Sequence, residues 1–396
     1  MVADGSRKSS QLRDESKVVL DDVAALCGPY LSPAGPQANG SKWQHYLLVM
    51  TSKQFHRDNH FVPCVYLKGW TGADGKIATY RLLVPHEKFP TWRRYSPSAL
   101  AYHSHLYTQT TSGVEKDDIE TWLDQDFERP AEEPLRKARA GVRMSRDDWK
   151  QLIRFVAAQD VRTPAYYWEQ AKRVDEQFPN LMQSTIETAI KEREQSAKTE
   201  KPAKVKSLPI EQREGLPLKI SLEREPSGGG QVYAAILHGR RFWHWTIRRH
   251  LTKNVPVLWQ HRWTILAPAK GLTWITSDNP VVRLNFNSLQ DYNFNGGWGS
   301  PGTEIFLPLD PEHLLFTHIG APRARQRGER MTQAETELIR RFTAEHAWRL
   351  ILTPDPDDEV QGLRSRTVDR GIFDDERRQW ANWHQQQTEA ERDFEE

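Results

Sequence analysis

The chain has 396 residues, 37% hydrophobic and 27% charged content, and a formal net charge of +2. That length holds one large domain or two ordinary ones, and 15 Trp can supply a sizeable aromatic core. Two cysteines, Cys27 and Cys64, exclude a disulfide framework and a cysteine zinc cluster. No apolar run approaches the roughly 18 residues of a membrane span, and Met1 to Lys17 lacks the apolar segment of a secretory signal. A cytoplasmic protein with no membrane partner is the expectation.

Residues 1–42 read as a flexible N-terminal segment: polar at first, then a short helical pattern over Val18 to Cys27 stopped by Gly28-Pro29, then a Pro/Gly/Ser-rich loop. An α+β domain is expected over 43–354. Phe61 to Leu67 and Lys76 to Val84 have strand character, with Asp74-Gly75 as a turn. Asp117 to Ala140 is helical, interrupted by Pro130 and Pro134. Ser145 and Asp148 stand at capping-box spacing, and Trp149, Leu152, Ile153 and Val156 follow at helical period. Pro164 is expected to kink this helix, Ala165 to Phe178 to resume it, and Pro179 to start a polar helix towards Ser196.

Residues 191–230, polar and closed by Gly228-Gly229-Gly230, read as an insertion or linker. Gln231 to Thr252 looks helical. Trp259 to Ala267, Leu272 to Leu284, Thr303 to Leu309 and His313 to Ile319 look like strands, with an Asn/Gly-rich loop over Asn285 to Gly302. Thr332 to Trp348 reads as a helix and Arg349 to Thr353 as a closing strand. The order predicts α+β: a mixed sheet built from N- and C-terminal strands, with a helical middle region. Residues 355–396 hold 13 acidic and 6 Lys/Arg residues and read as an acidic C-terminal tail on a basic body.

Three polar motifs stand beside strongly apolar sequence: Phe55 to Pro63, Gln159 to Pro164, and Ser277-Asp278-Asn279-Pro280. Together with Tyr66-Leu67, Ser96-Pro97, Tyr107, Ile119-Glu120, Glu128 and Pro308-Leu309-x-Pro311, they run in the order of a known family. The chain resembles the domain of unknown function 4238 family over roughly 53–353. That family often carries a His-His pair where Asn59-His60 stands here, which argues against a paired-His metal site. Its name assigns no activity, so the resemblance supplies positions and no reaction.

Gln159 falls on the apolar face of its helix and Arg162 one turn on, so both need buried partners, for which Glu120, Glu128 and Asp278 are the candidates. Arg162 could grip a phosphate or carboxylate, or form a structural salt bridge. Asp278 could be a base, a metal ligand or the acceptor of a turn. His60 is the candidate acid/base. His56 and His60 alone make a weak zinc signal.

Pro226 to Ser277 contains no acidic residue and interleaves Arg241, Arg248 and other cations with Trp, as nucleotide or nucleic-acid binding requires, or as internal cation–π packing would. The leading expectation is a phosphodiester- or phosphate-directed hydrolase, nuclease-like. In it His60, Asp278, Glu120 and Glu128 are catalytic, with a divalent metal as a candidate cofactor. Gln159, Arg162, Asn279, Arg241 and Arg248 contact substrate. The alternatives are a non-catalytic nucleotide- or nucleic-acid-binding module, or a purely structural polar network.

Overall fold

The computed structural model describes residues 57–111, 114–198, 216–224, 230–323 and 325–395. The first segment, 1–42, and the Val18 to Cys27 helix lie outside the described residues, as do His56 and much of the polar insertion.

Strand β1 (Asp58–His60) stops at Phe61. Strand character was expected to run to Leu67, but Pro63 at φ −62° opens a helical turn, Cys64–Leu67. Then come β2 (Ile77–Arg81), β3 (Leu83–Val84), β4 (Trp92–Tyr95), β5 (Tyr102–Ser104), β6 (Gln109–Thr111) and β7 (Val114–Lys116). Helix α1 (Asp118–Leu123) passes through a π-helical turn, Asp124–Glu128, before α2 (Glu132–Arg139). Helix α3 (Arg146–Val161) starts as its sequence predicts: Asp148 N–H donates to Ser145 Oγ at 3.1 Å and Ser145 N–H to Asp148 Oδ2 at 2.7 Å.

Pro164 breaks the helix where a kink was expected, because it strips the helical preference from Thr163 and serves as the first residue of α4 (Pro164–Lys198). Arg162 is left as the C-cap of α3. Pro179, by contrast, lies inside α4 and starts nothing. Val174, Phe178 and Met182 pack with Phe242 on both sides of it, and that continuous contact outweighs one missing backbone bond.

Part of the expected linker pairs as a hairpin, β8 (Leu218–Arg224) with β9 (Gly230–Ile236). The expected helix over 231–252 is therefore half strand; α5 (Arg240–Arg249) begins only after Gly239, whose φ of +145° suits glycine. Then follow β10 (Thr264–Leu266), β11 (Thr276–Ser277), β12 (Val282–Ser288), β13 (Asp291–Asn293), β14 (Thr303–Pro308), β15 (Leu314–His318), α6 (Gln333–His346), β16 (Leu350–Thr353), β17 (Thr367–Val368) and α7 (Arg370–Glu395).

The protein is α+β. One sheet, ordered β10-β15-β14-β12-β13, is antiparallel throughout. The other, β11-β16-β2-β4, joins the two ends of the chain as expected, and it too is antiparallel rather than mixed. Among the named strands the parallel pairing is the short one of β17 with β3. The acidic C-terminal residues do not trail in solvent. Trp383 of α7 is 3% exposed within the main apolar core, and Glu391 meets the buried Arg240 at 2.7 Å. No helix among the described residues is long and apolar enough to cross a membrane.

Candidate functional site

Arg162 collects the first group of motif residues. Its guanidinium donates to Glu128 and to the His60 carbonyl, and Glu120 Oε2 stands 3.6 Å away. Tyr107 donates its hydroxyl to the Arg162 carbonyl and lays its ring under the guanidinium, 5.9 Å from the centroid. Gln159 Nε2 donates to the Phe61 carbonyl at 3.0 Å. The π-helical turn supplies Glu128 at its last position, re-aimed relative to a regular helix.

Arg162 is 1% exposed, so nothing outside can reach it without a rearrangement. Burial pushes the Glu120 carboxyl up to about 8, so at neutral pH Glu120 keeps its proton. The Arg162–Glu128 ion pair is the centre of this buried unit.

His60 hangs at the edge of this unit. Its Nε2 donates to the Ser98 carbonyl at 3.3 Å and lies 3.5 Å from Cys64 Sγ, and its ring leans on Tyr102 at 5.5 Å. Burial pushes the imidazole down and the Cys64 thiol up, so neither is charged at neutral pH. An activated Cys–His pair is not what this geometry provides.

Asp278 ends β11 and faces elsewhere. Its two carboxylate oxygens accept the backbone N–H groups of Trp348 at 2.9 Å and Arg349 at 2.8 Å. Burial pushes its carboxyl up to about 6, these backbone donors working the other way. Asn279 bridges back: Thr163 Oγ1 donates to its Oδ1 at 3.0 Å, and its Nδ2 donates to the His346 carbonyl at 3.2 Å. The two motif groups are thus joined through Thr163–Asn279, but Asp278 shares no hydrogen bond with His60, Glu120, Glu128, Gln159 or Arg162.

Asp278 lines a cleft of about 500 Å³ that none of those five residues lines. The β16–β2 pairing sets Leu350 opposite Arg81, which brings Asp278, Arg349 and Arg81 to one place. Arg93 of β4 and Arg377 of α7 add charge. Arg349 is held by Glu376 at 2.6 Å, whereas among the described residues no carboxylate pairs with Arg81, Arg93 or Arg377. Aromatic residues supply much of the rest of the lining. Trp380 stacks on His103 at 4.0 Å and 10°, His103 on Phe61 at 5.6 Å, and Tyr102 stands 40% exposed.

Comparison with known families decides the affiliation. The model of the family described as "Protein of unknown function (DUF4238)" matches residues 58–357. The chain belongs to this family. No curated protein and no solved structure matches it.

The motifs by which this DUF4238 chain resembles its family are bonded to one another. Tyr66 Oη alone reaches the Pro308 carbonyl and Thr276 Oγ1, each at 2.6 Å, tying the first motif to the last two. The acid-free stretch packs inward. Trp243, Ile247 and Leu251 are buried as the helical pattern requires. Arg248 lies over Trp122 at 5.9 Å and Arg249 over Trp245 at 5.5 Å. Arg241, half-buried on α5, has its own partner, and neither it nor Arg248 lines the cleft.

One set of three metal-capable groups occurs among the described residues: His105, Glu115 and His384. Its wiring does not suit a cation. Arg240 donates to His384 Nδ1 at 2.9 Å, so His384 carries its proton on Nε2 and gives it to Glu115 at 2.8 Å. A metal-bound imidazole instead donates from its other nitrogen. The His105 and His384 rings stack at 4.2 Å and 18°, so their lone pairs do not converge.

Sequence reasoning missed Arg81, His103, Trp348, Arg349, Glu376 and Trp380. A signal existed for the last two: Phe373, Glu376, Trp380 and Trp383 recur three and four apart inside the acidic segment, the period of an amphipathic helix.

Proposed function

We propose that the Asp278 cleft binds a phosphorylated ligand that carries an aromatic ring, a nucleotide being the class that fits. The observation that carries this reading is a cleft of about 500 Å³ with three arginines free of carboxylate partners among the described residues and a wall rich in aromatic residues. That volume suits a small molecule, not a duplex. Guanidinium forks match phosphate oxygens, and flat rings accept a base.

Titration of the full chain with ADP, followed by calorimetry and by tryptophan fluorescence, tests it. Arg93→Ala and Arg377→Ala, both at exposed positions, are expected to weaken ADP at least tenfold with unchanged melting temperature. Equal affinity in both variants, or no binding of any nucleoside phosphate, removes the reading.

A phosphate-directed hydrolase is the second reading, and Asp278 favours it. A carboxyl pushed up to about 6 inside a ligand-sized cleft has the acidity of a general base for water. His60 lines no part of that cleft, so in this version Asp278 and not His60 handles the proton. Phosphate release from ADP or ATP that survives His60→Ala and vanishes in Asp278→Ala is the expected signature. Intact nucleotides after incubation with Mg²⁺, Mn²⁺ and Zn²⁺ leave binding alone.

A further inference from the structure

A second recess, of about 380 Å³, lies at the edge of the five-stranded sheet, away from the Asp278 cleft. The strand register builds it. Thr264 of β10 stands opposite Phe316 of β15, and His318, two residues on, stands opposite Glu304 of β14. Side chains two apart share a face, so Thr264, Phe316, His318 and Glu304 project together. All four line the recess, joined by Arg262 just before β10 and by Arg323 and Arg325 after β15.

Three features point to a ligand. Thr264 is 5% exposed, lines the recess, and its Oγ1 makes no hydrogen bond to any described residue. A buried hydroxyl in that state costs free energy unless something answers it. The charge is also unbalanced. Arg325 is engaged by Glu335 and by Glu329, but among the described residues no carboxylate pairs with the exposed Arg262 or Arg323. Finally, the acid on the recess wall, Glu304, already stands 3.4 Å from His318 Nδ1. A hydroxyl and two guanidinium forks are donors lining one space, with Glu304 and His318 side by side on its wall.

We propose that this recess is a binding site for a phosphate group. Thr264 Oγ1 donates to its oxygens, and Arg262 and Arg323 balance its charge. The group arrives either as the free ion or on a small phosphate ester.

Calorimetric titration of the full chain with inorganic phosphate, and separately with glycerol phosphate, tests the site. Thr264→Val keeps the shape and deletes only the unanswered hydroxyl, so its melting temperature should equal or exceed that of wild type while phosphate affinity falls at least tenfold. Arg323→Ala should weaken phosphate to a similar extent. Arg377→Ala, in the other cleft, should leave this binding event in place, which separates the two sites. Tighter binding of the ester assigns a phosphorylated small molecule, and tighter binding of the ion assigns free phosphate. Three outcomes overturn the proposal: no binding of either probe, undiminished binding in both Thr264→Val and Arg323→Ala, or a large drop in melting temperature for Thr264→Val.

Discussion

Arg162 and Asp278 are 1% exposed, and each is supplied by one of the motifs, yet their surroundings differ in kind. Arg162 is enclosed: carboxylate, carbonyl and ring each meet one part of its guanidinium, and it lines no part of the Asp278 cleft. Asp278 has two backbone donors on one side and a cleft of about 500 Å³ on the other. Matching burial therefore serves opposite ends. The first group is paired internally, which ties three distant segments together. The second remains titratable near neutral pH beside a space that a ligand can enter.

The contrast breaks most sharply at Arg162. Arg162→Leu leaves Glu128 and the His60 carbonyl without their donor, so unfolding free energy should fall by about 3–5 kcal/mol in urea melts. A loss below about 1 kcal/mol would mean that the enclosed unit stabilises nothing.

Asp278 should show itself through pH. Its folded carboxyl at about 6 lies above the unfolded value of about 3.9. Its contribution is thus fully present below about pH 4 and is lost as pH rises through about 6, a change on the order of 2–3 kcal/mol. The stability difference between wild type and Asp278→Asn should shrink by that amount from pH 4 to pH 7. A flat difference would place the carboxyl in water.

His103, across the cleft, works in the other direction. Burial pushes its imidazole down to about 4, the Arg81 charge adding to the effect. The neutral ring's contribution is present above about pH 6.5 and is lost as pH falls through about 4, about 2 kcal/mol or somewhat more. His103→Phe keeps the stack on Trp380 and should remove that acid sensitivity, read from melting temperatures between pH 4 and pH 7. The smallest effect belongs to His60, half-buried with one long bond at 3.3 Å. His60→Ala should cost about 1 kcal/mol or less in the same urea melts.

Much of the local structure was legible, because local chemistry specifies it. The Ser145–Asp148 box, the break at Pro164 and the strands either side of Pro311 follow from residues within a few positions of one another. The need of Gln159 and Arg162 for buried partners was legible from helical period, as was Glu128 among the candidates. What the sequence hid was distance. Arg81 and Arg349 meet only because β2 pairs with β16, and Trp380 joins them only because α7 folds back. The proline rule also misled at Pro179, where packing on Phe242 overrides the breaker. The charge asymmetry suggested an anionic partner, but part of it is satisfied internally: Arg240 meets Glu391, and Arg349 meets Glu376.

The family segment ends at residue 357, while Phe373, Glu376, Arg377 and Trp380 come from a helix beyond it. One wall of the cleft therefore comes from a helix outside the matched segment, one that also buries Trp383 in the core and sets Glu391 against Arg240. A substitution at Arg377, on the exposed side of that helix, therefore alters the cleft wall without touching the interlocked motifs beneath it.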